Sequence, residues 1–204
     1  MTKDQIISGF KKYVPQEFAS FCADLLVQYK VDLKVKRPRN TKSGDYRPPV
    51  QGRKKHEVTV NSDLNPYYFL LVYIHEMAHV KTWEDFGRKA EPHGEEWKRI
   101  FKEMAQPVLM SGLLSPDLQS ALTKFFIKTP ATFLSDTHLI SVLRKYDKGD
   151  EIITLDAIPT GATFKLNNGL CLVKEARLRT WYLCKEVSTG RKFRVKGNAE
   201  VSAV

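Results

Sequence analysis

Between Asn65 and Gly87 the sequence reads as one helix, and nearly all of it is apolar. Phe69, Leu70, Leu71, Val72, Ile74, Ala78, Val80 and Trp83 leave almost no polar face. Such a helix belongs inside a core, packed on every side. Asn65 suits its N-cap, Pro66 its first position and Gly87 the residue just past its end, so the spacing predicts a helix over Pro66–Phe86. Into this helix the chain inserts His75-Glu76-Met77-Ala78-His79. Positions i and i+4 stack on one helical face, so His75 and His79 can offer two imidazoles to one metal ion. Glu76 lies about 100° further round, where its carboxylate can reach a metal-bound water. Buried polar groups are costly unless partnered, and a metal site gives all three a reason to be there.

The chain's 204 residues allow one medium domain plus a small one. A content of 42% hydrophobic and 27% charged residues is that of a folded soluble protein and excludes a disordered one. No apolar run approaches the roughly 18 residues of a membrane span, so no membrane partner is expected. The first residues, MTKDQIISGFKKYV, lack the continuous apolar region of a secretory signal, and the expected compartment is the cytoplasm. Cys22, Cys171 and Cys184 are odd in number and share no C-x-x-C spacing, which argues against a disulfide framework or a cysteine-rich zinc ribbon.

The net charge of +10 is uneven. Lys30 to Lys55 holds ten Lys or Arg against Asp32 and Asp45, a block of +8 in 26 residues. Such a block suits a polyanion, with nucleic acid first, and it equally suits a solvated basic loop. The candidate nucleic-acid contacts are Lys34, Lys36, Arg37, Arg39, Lys42, Arg53, Lys54 and Lys55.

Residues 4–13 and 16–30 read as two helices, the second with Phe18, Phe21, Cys22, Leu25, Leu26 and Tyr29 on one face. Val31–Val35 and His56–Asn61 alternate with period two and read as strands. Arg37–Arg53, broken by prolines and glycines, reads as a loop. Beyond Gly87 a polar turn leads to His93-Gly94, then to a helix from about Glu95 to Met104 with Trp97, Ile100 and Phe101 on its apolar face. Leu113–Lys128 and Ser135–Lys145 suggest two more helices, with Ser135 or Asp136 as a cap. From Glu151 the texture becomes β-like: Ile152–Leu155, Thr163–Leu166, Leu170–Lys174, Thr180–Val187 and Lys192–Val195. Short strands between tight turns suggest a small twisted barrel.

A tetrahedral catalytic zinc takes three protein ligands and leaves the fourth position for water. His75 and His79 supply two. His93, fourteen residues past His79 across the turn, is the natural third, while Glu91, Glu95 and Glu96 also lie nearby and glutamate is a known third ligand in such sites. Neutral imidazoles keep the ion's full charge, which draws the pKa of bound water towards about 7, and Glu76 can take the proton as that water attacks a carbonyl. This is metal-assisted peptide hydrolysis. Imidazole sites also take iron, nickel or copper. Tyr46 and Arg47, in the basic loop, are weaker candidates for stabilising an oxyanion.

From His75-Glu76-Met77-Ala78-His79 through Trp83, Phe86-Gly87-Arg88 and Pro92-His93-Gly94 to Glu96-Trp97-Lys98, the chain resembles the SprT-like zinc metalloprotease family, which includes bacterial SprT proteins and Spartan. Val58-Thr59-Val60-Asn61 and the Asn65-Pro66 helix start extend the likeness to roughly residues 15–105. The resemblance implies Zn2+ bound by His75, His79 and His93, Glu76 as general base, and Trp97 as a packing residue. It implies a mainly helical zincin-like metalloprotease domain with a small sheet over 1–110; with a helical linker region over 111–147 and a small all-β, SH3-like barrel domain over 148–204, both read from the residue pattern, the expected fold is α+β. Spartan-type relatives cleave proteins trapped on DNA, so the implied partners are a protein substrate and DNA. Many members carry a four-cysteine zinc ribbon, and this chain instead has strands rich in Lys and Arg. Arg177, Arg179, Trp181, Tyr182, Arg191, Lys192 and Arg194 mix charge with aromatics as nucleic-acid binders do. The rival reading is a nucleic-acid-binding or regulatory protein with a structural, non-proteolytic zinc site.

Overall fold

Helix formation over the apolar stretch follows its caps. In the computed structural model, which describes residues 2–50, 52, 54–129, 133, 136–147 and 153–203, α3 spans Pro66–Phe86. The Asn65 side chain accepts a hydrogen bond from the Tyr68 amide, and Gly87 ends the helix at a φ of 61° that a side chain would resist. Phe69, Leu70, Tyr73, Ile74, Met77, Ala78 and Val80 are fully buried, as an all-round apolar helix requires. Arg53, Ser135 and Ile152, each given a role from the sequence, lie outside the described residues.

Two compact units make up the chain, Met1–Asp147 and Lys148–Val204. In the first, α1 (Lys3–Phe10) and α2 (Ala19–Gln28) pack together, and the Tyr73 hydroxyl donates to the Cys22 carbonyl to tie α2 to α3. The three-stranded mixed sheet has the order β1-β3-β2, with β1 (Asp32–Lys36) parallel and β2 (Gly44–Arg47) antiparallel to β3 (Glu57–Asn61). Val58 and Val60 are fully buried, and β2 and β3 both pack on α3.

β2 lies inside the segment that reads as a loop. Gly44-Asp45-Tyr46-Arg47 carries no apolar alternation, and its place comes from pairing with β3. Asp45 bridges Lys42 and Arg47 along this edge strand.

α4 runs Glu95–Leu109, past the expected end at Met104 and through Pro107. That proline falls in the last turn, where its missing amide costs one hydrogen bond and the buried Val108 still gains from helical placement. α5 (Pro116–Lys128) and α6 (Thr137–Arg144, capped by Asp136) follow. They place Leu118, Leu122, Phe125, Leu139, Val142 and Leu143 in the same core as α3, so residues 111–147 pack as part of the first unit. Asn65 also donates to the Leu143 carbonyl and to Asp147, joining the start of α3 to the end of α6.

The second unit is a five-stranded antiparallel sheet in the order β7-β6-β5-β4-β8. Its strands are β4 (Thr163–Leu166), β5 (Cys171–Arg177), β6 (Trp181–Glu186), β7 (Lys192–Lys196) and β8 (Val201–Ala203). The expected barrel is not closed: among the described residues β7 and β8 are the two edges and do not pair with each other. The expected strand to Leu155 is instead a single bridge, Thr154 with Glu200, followed by a 3-10 turn over Leu155–Ala157. That turn is held by the buried Lys174, whose ammonium donates to the Leu155 and Ile158 carbonyls at 2.7 and 2.6 Å and sits 3.9 Å from the Tyr182 ring centroid. β8 did not stand out in the sequence because it is three residues long. Among the described residues no helix is long and apolar enough to cross a membrane.

Candidate metal centre

His75 and His79 lie one helical turn apart on α3, and His93 joins them from the turn before α4. The backbone at His93 has a φ of 61°, a left-handed conformation uncommon for a residue with a side chain. Gly94 follows, its amide bonded to the Glu91 carbonyl; a Cβ there would come within 3.1 Å of that oxygen. The turn therefore folds tightly and turns the His93 ring onto α3. Strain of this kind persists where the surroundings over-determine it, and functional sites are where it collects.

The His93 Nε2 stands 3.1 Å from His79 Nε2 and 3.2 Å from His75 Nε2. Three nitrogens bound to one tetrahedral ion at about 2.0–2.1 Å would stand about 3.3 Å apart. The donor set therefore fits a metal ion such as Zn2+, and the three histidines could hold one. Burial pushes His75 well below the usual imidazole range, helped by His79 and His93, and pushes His79 down to about 3, helped by His93. Burial lowers His93 as well. All three rings are thus held neutral, the form that ligates a metal. Glu91, Glu95 and Glu96 are not in the cluster among the described residues, and Glu95 pairs with Lys98.

Trp97 backs all three ligands. It is fully buried, with its ring centroid 4.7 Å from that of His75, 5.1 Å from His79 and 4.6 Å from His93, and Phe101 lies behind it at 4.9 Å, tilted by 33°. This aromatic wall keeps water from one side of the imidazoles and limits their rotation.

Glu76 is 6% exposed, and no described residue hydrogen-bonds its carboxylate. Burial pushes its pKa up to about 8, Asp45 adds to the rise, and Arg39 and Lys42 oppose it. A cation at the histidines would favour the ionised form. Glu76 and His75 line one wall of a cleft of about 260 Å³ whose other wall is residues 39–44. A second cleft, about 340 Å³, opens on the His79 side between Tyr46 and Pro92.

A relay that sequence reasoning missed fixes β2 beside the ligands. The Tyr46 ring stacks on His79 at 6.0 Å and 3°, and its hydroxyl lies 2.8 Å from His56 Nδ1. His56 Nε2 is in turn 2.5 Å from Glu84 on α3. A carboxylate can only accept, so His56 donates from Nε2 to Glu84, and in the neutral ring Nδ1 accepts from the Tyr46 hydroxyl. Thus Tyr46 meets the centre by its ring face, its hydroxyl being taken by the 4% exposed His56. Period-two alternation marks His56 only as the head of a strand, and nothing local in the sequence pairs it with Glu84.

The candidate nucleic-acid contacts separate into two groups. Lys34 pairs with Asp32 and Glu57, Lys42 pairs with Asp45, and Arg39 donates through Nε to Asn61 at 2.7 Å. Arg39 lines the Glu76 cleft, and its Nη2 is buried with no partner. Lys36, Arg37, Lys54 and Lys55 make no ion pair among the described residues.

Helix-borne histidines at i and i+4, with a third from the following turn, define this as a candidate metal centre of the H-E-x-x-H class. Residues 26–119 match the SprT-like family, a span that holds β1 to β3, α3, the histidine turn and α4. The chain carries a SprT-like family domain over those residues. No curated protein and no solved structure matches the chain.

Proposed function

We propose that the protein is a zinc-dependent endopeptidase with a zincin-like active site, acting on proteins associated with or crosslinked to DNA. The observation that carries the reading is Glu76: a buried carboxylate with no hydrogen-bond partner among the described residues, beside converging neutral imidazoles, on the wall of a cleft. A structural metal site has no use for such a group.

A divalent ion held by His75, His79 and His93 would acidify water and polarise a substrate carbonyl. Glu76 takes the proton as the water oxygen adds to the carbonyl carbon and then gives it to the amide nitrogen, so that the C–O bond forms first and the C–N bond breaks as the carbonyl is restored. β2 is an edge strand along the cleft, and its free backbone groups can align an extended peptide by strand addition. Arg39, which lines that wall and is anchored through Nε to Asn61, adds positive charge to the cleft. Lys36, Arg37, Lys54 and Lys55 supply positive charge to DNA carrying the substrate.

The test is cleavage of casein and histone by the wild-type chain and by Glu76→Gln, with metal content measured on both. Loss of cleavage in a variant that keeps one equivalent of zinc is expected; unchanged cleavage would refute the assigned base.

A further inference from the structure

In the first unit some cations are matched by acids, such as Lys3 with Asp24, Lys34 with Glu57, Lys81 with Asp85, Lys98 with Glu95, Arg99 with Glu103 and Lys145 with Asp117, while Lys36, Arg37, Lys54 and Lys55 are in no ion pair among the described residues. The second unit gathers its cations on one face of its sheet. Phe164, Leu172, Tyr182, Cys184 and Val195 point inward to its core. The register therefore sends Lys165, Lys185, Lys192, Arg194 and Lys196 outward together, with Trp181 and Leu183 among them. All five cations are exposed, and none is in an ion pair among the described residues.

The register makes this arrangement unfavourable by itself. Lys185 stands directly opposite Lys192, a like-charge cross-strand pair that destabilises a sheet. No acid occupies an outward register position on β4, β6 or β7: Glu186 on β6 pairs with Leu172 on the inward side, and Glu175 falls in the bulge of β5. Trp181 lies opposite Lys196, whose ammonium is 5.4 Å from the ring centroid, and the Trp181 residue is 39% exposed. Arg177 and Arg179, both exposed, extend the positive charge into the hairpin that leads to Trp181.

We infer that this sheet face binds a single-stranded nucleic acid. Its phosphates run along Lys192, Arg194 and Lys196 on β7, and a base stacks on Trp181. A flat indole offers a surface that any unstacked base can cover, while a paired base in a duplex keeps its faces inside the stack. The cations neutralise phosphates and release counterions, which makes binding fall with salt. This surface belongs to the second unit and the metal centre to the first, and the inference does not depend on peptidase activity.

The experiment is fluorescence anisotropy of a fluorescein-labelled oligothymidylate of about 15 nucleotides, titrated with the full chain at several salt concentrations. Binding is expected to weaken with salt. The Arg194→Glu, Lys196→Glu double variant is expected to bind at least tenfold more weakly, with a log–log salt slope flatter by about 0.7 for each lost contact. Trp181→Ala is expected to bind about tenfold more weakly with its salt slope unchanged, because stacking releases no counterions. Both substitutions are on exposed positions, and an unchanged melting temperature certifies the fold. Wild-type affinity in both variants overturns the inference, as does the absence of salt-dependent binding. Loss of binding only on Lys36→Glu, Arg37→Glu in the first unit, or tighter binding of duplex than of single strand with no effect of Trp181→Ala, overturns it too.

Discussion

Gly44 rests its bare α-carbon against the side chain of Glu76: a Cβ there would stand 2.9 Å from Glu76 Cγ, closer still to Oε1, and 2.7 Å from Cγ1 of Val72. Real Cβ atoms do not approach so near, so β2 comes this close to α3 because residue 44 has no side chain. Gly44→Ala must push the strand out or swing the carboxylate. We expect kcat to fall at least tenfold, metal content to stay at one equivalent, and stability to drop by about 1–3 kcal/mol. Steady-state kinetics with a metal assay checks this; wild-type kcat would contradict it.

Trp97 touches all three metal-ligating rings and has no exposed surface. Trp97→Ala should therefore lose about 3–5 kcal/mol of stability and also bind metal more weakly, since the rings lose the wall that fixes them. Trp97→Phe keeps an aromatic wall and should retain metal. Denaturant midpoints measured with and without chelator separate the two effects.

Glu76 gives the metal-free chain a pH dependence with a definite sign. Its carboxyl has an ordinary value of 4.5 in the unfolded chain and about 8 in the fold, so the folded state holds the proton more tightly. Its contribution is present below 4.5 and is lost as pH rises through about 8. His79 acts in the opposite sense: its folded value of about 3 lies below 6.5, so stability is lost as pH falls across that window. Above pH 6.5 the Glu76 slope remains. Between there and about pH 8.5 the chelated wild type should lose about 2 kcal/mol relative to chelated Glu76→Gln. Parallel urea midpoints for the two chains would contradict this.

Tyr46 and His56 hold β2 to α3 through Glu84. Tyr46→Phe keeps the ring on His79 and removes the hydroxyl, which should cost about 1 kcal/mol and leave metal bound. His56→Ala leaves the Tyr46 hydroxyl without its partner and opens a gap under β2, and it should lower both stability and kcat. Equal kcat in wild type and His56→Ala would show that the strand does not depend on this relay.

What the sequence makes legible follows the range of the forces involved. α3 was readable to the residue because Asn65, Pro66 and Gly87 act on their own backbone, and His75, Glu76 and His79 were readable because helical spacing is fixed. The third ligand was less firmly legible: His93 was the natural candidate across the turn and the resemblance favoured it, but Glu91, Glu95 and Glu96 stayed possible, and the fold brings His93 in through a left-handed backbone that no pattern announces. β2 escaped notice because Asp45 and Arg47 obey no alternation and the strand exists through its pairing with β3. The relay from Tyr46 to Glu84 and the placement of Arg39 at the cleft are contacts between distant residues, which local pattern cannot carry. Closure of the β unit was expected from strand number, yet the register leaves β7 and β8 as edges.

The central claim is that Glu76 moves the proton at a histidine-held metal. Its most direct measurement is zinc content together with proteolysis, with and without DNA, on wild type, Glu76→Gln and His79→Ala. The account expects one equivalent of zinc and cleavage in wild type, one equivalent and cleavage reduced at least a hundredfold in Glu76→Gln, and neither in His79→Ala. Cleavage by Glu76→Gln at the wild-type rate, or DNA binding by a wild type that cuts no protein under any condition, would contradict it.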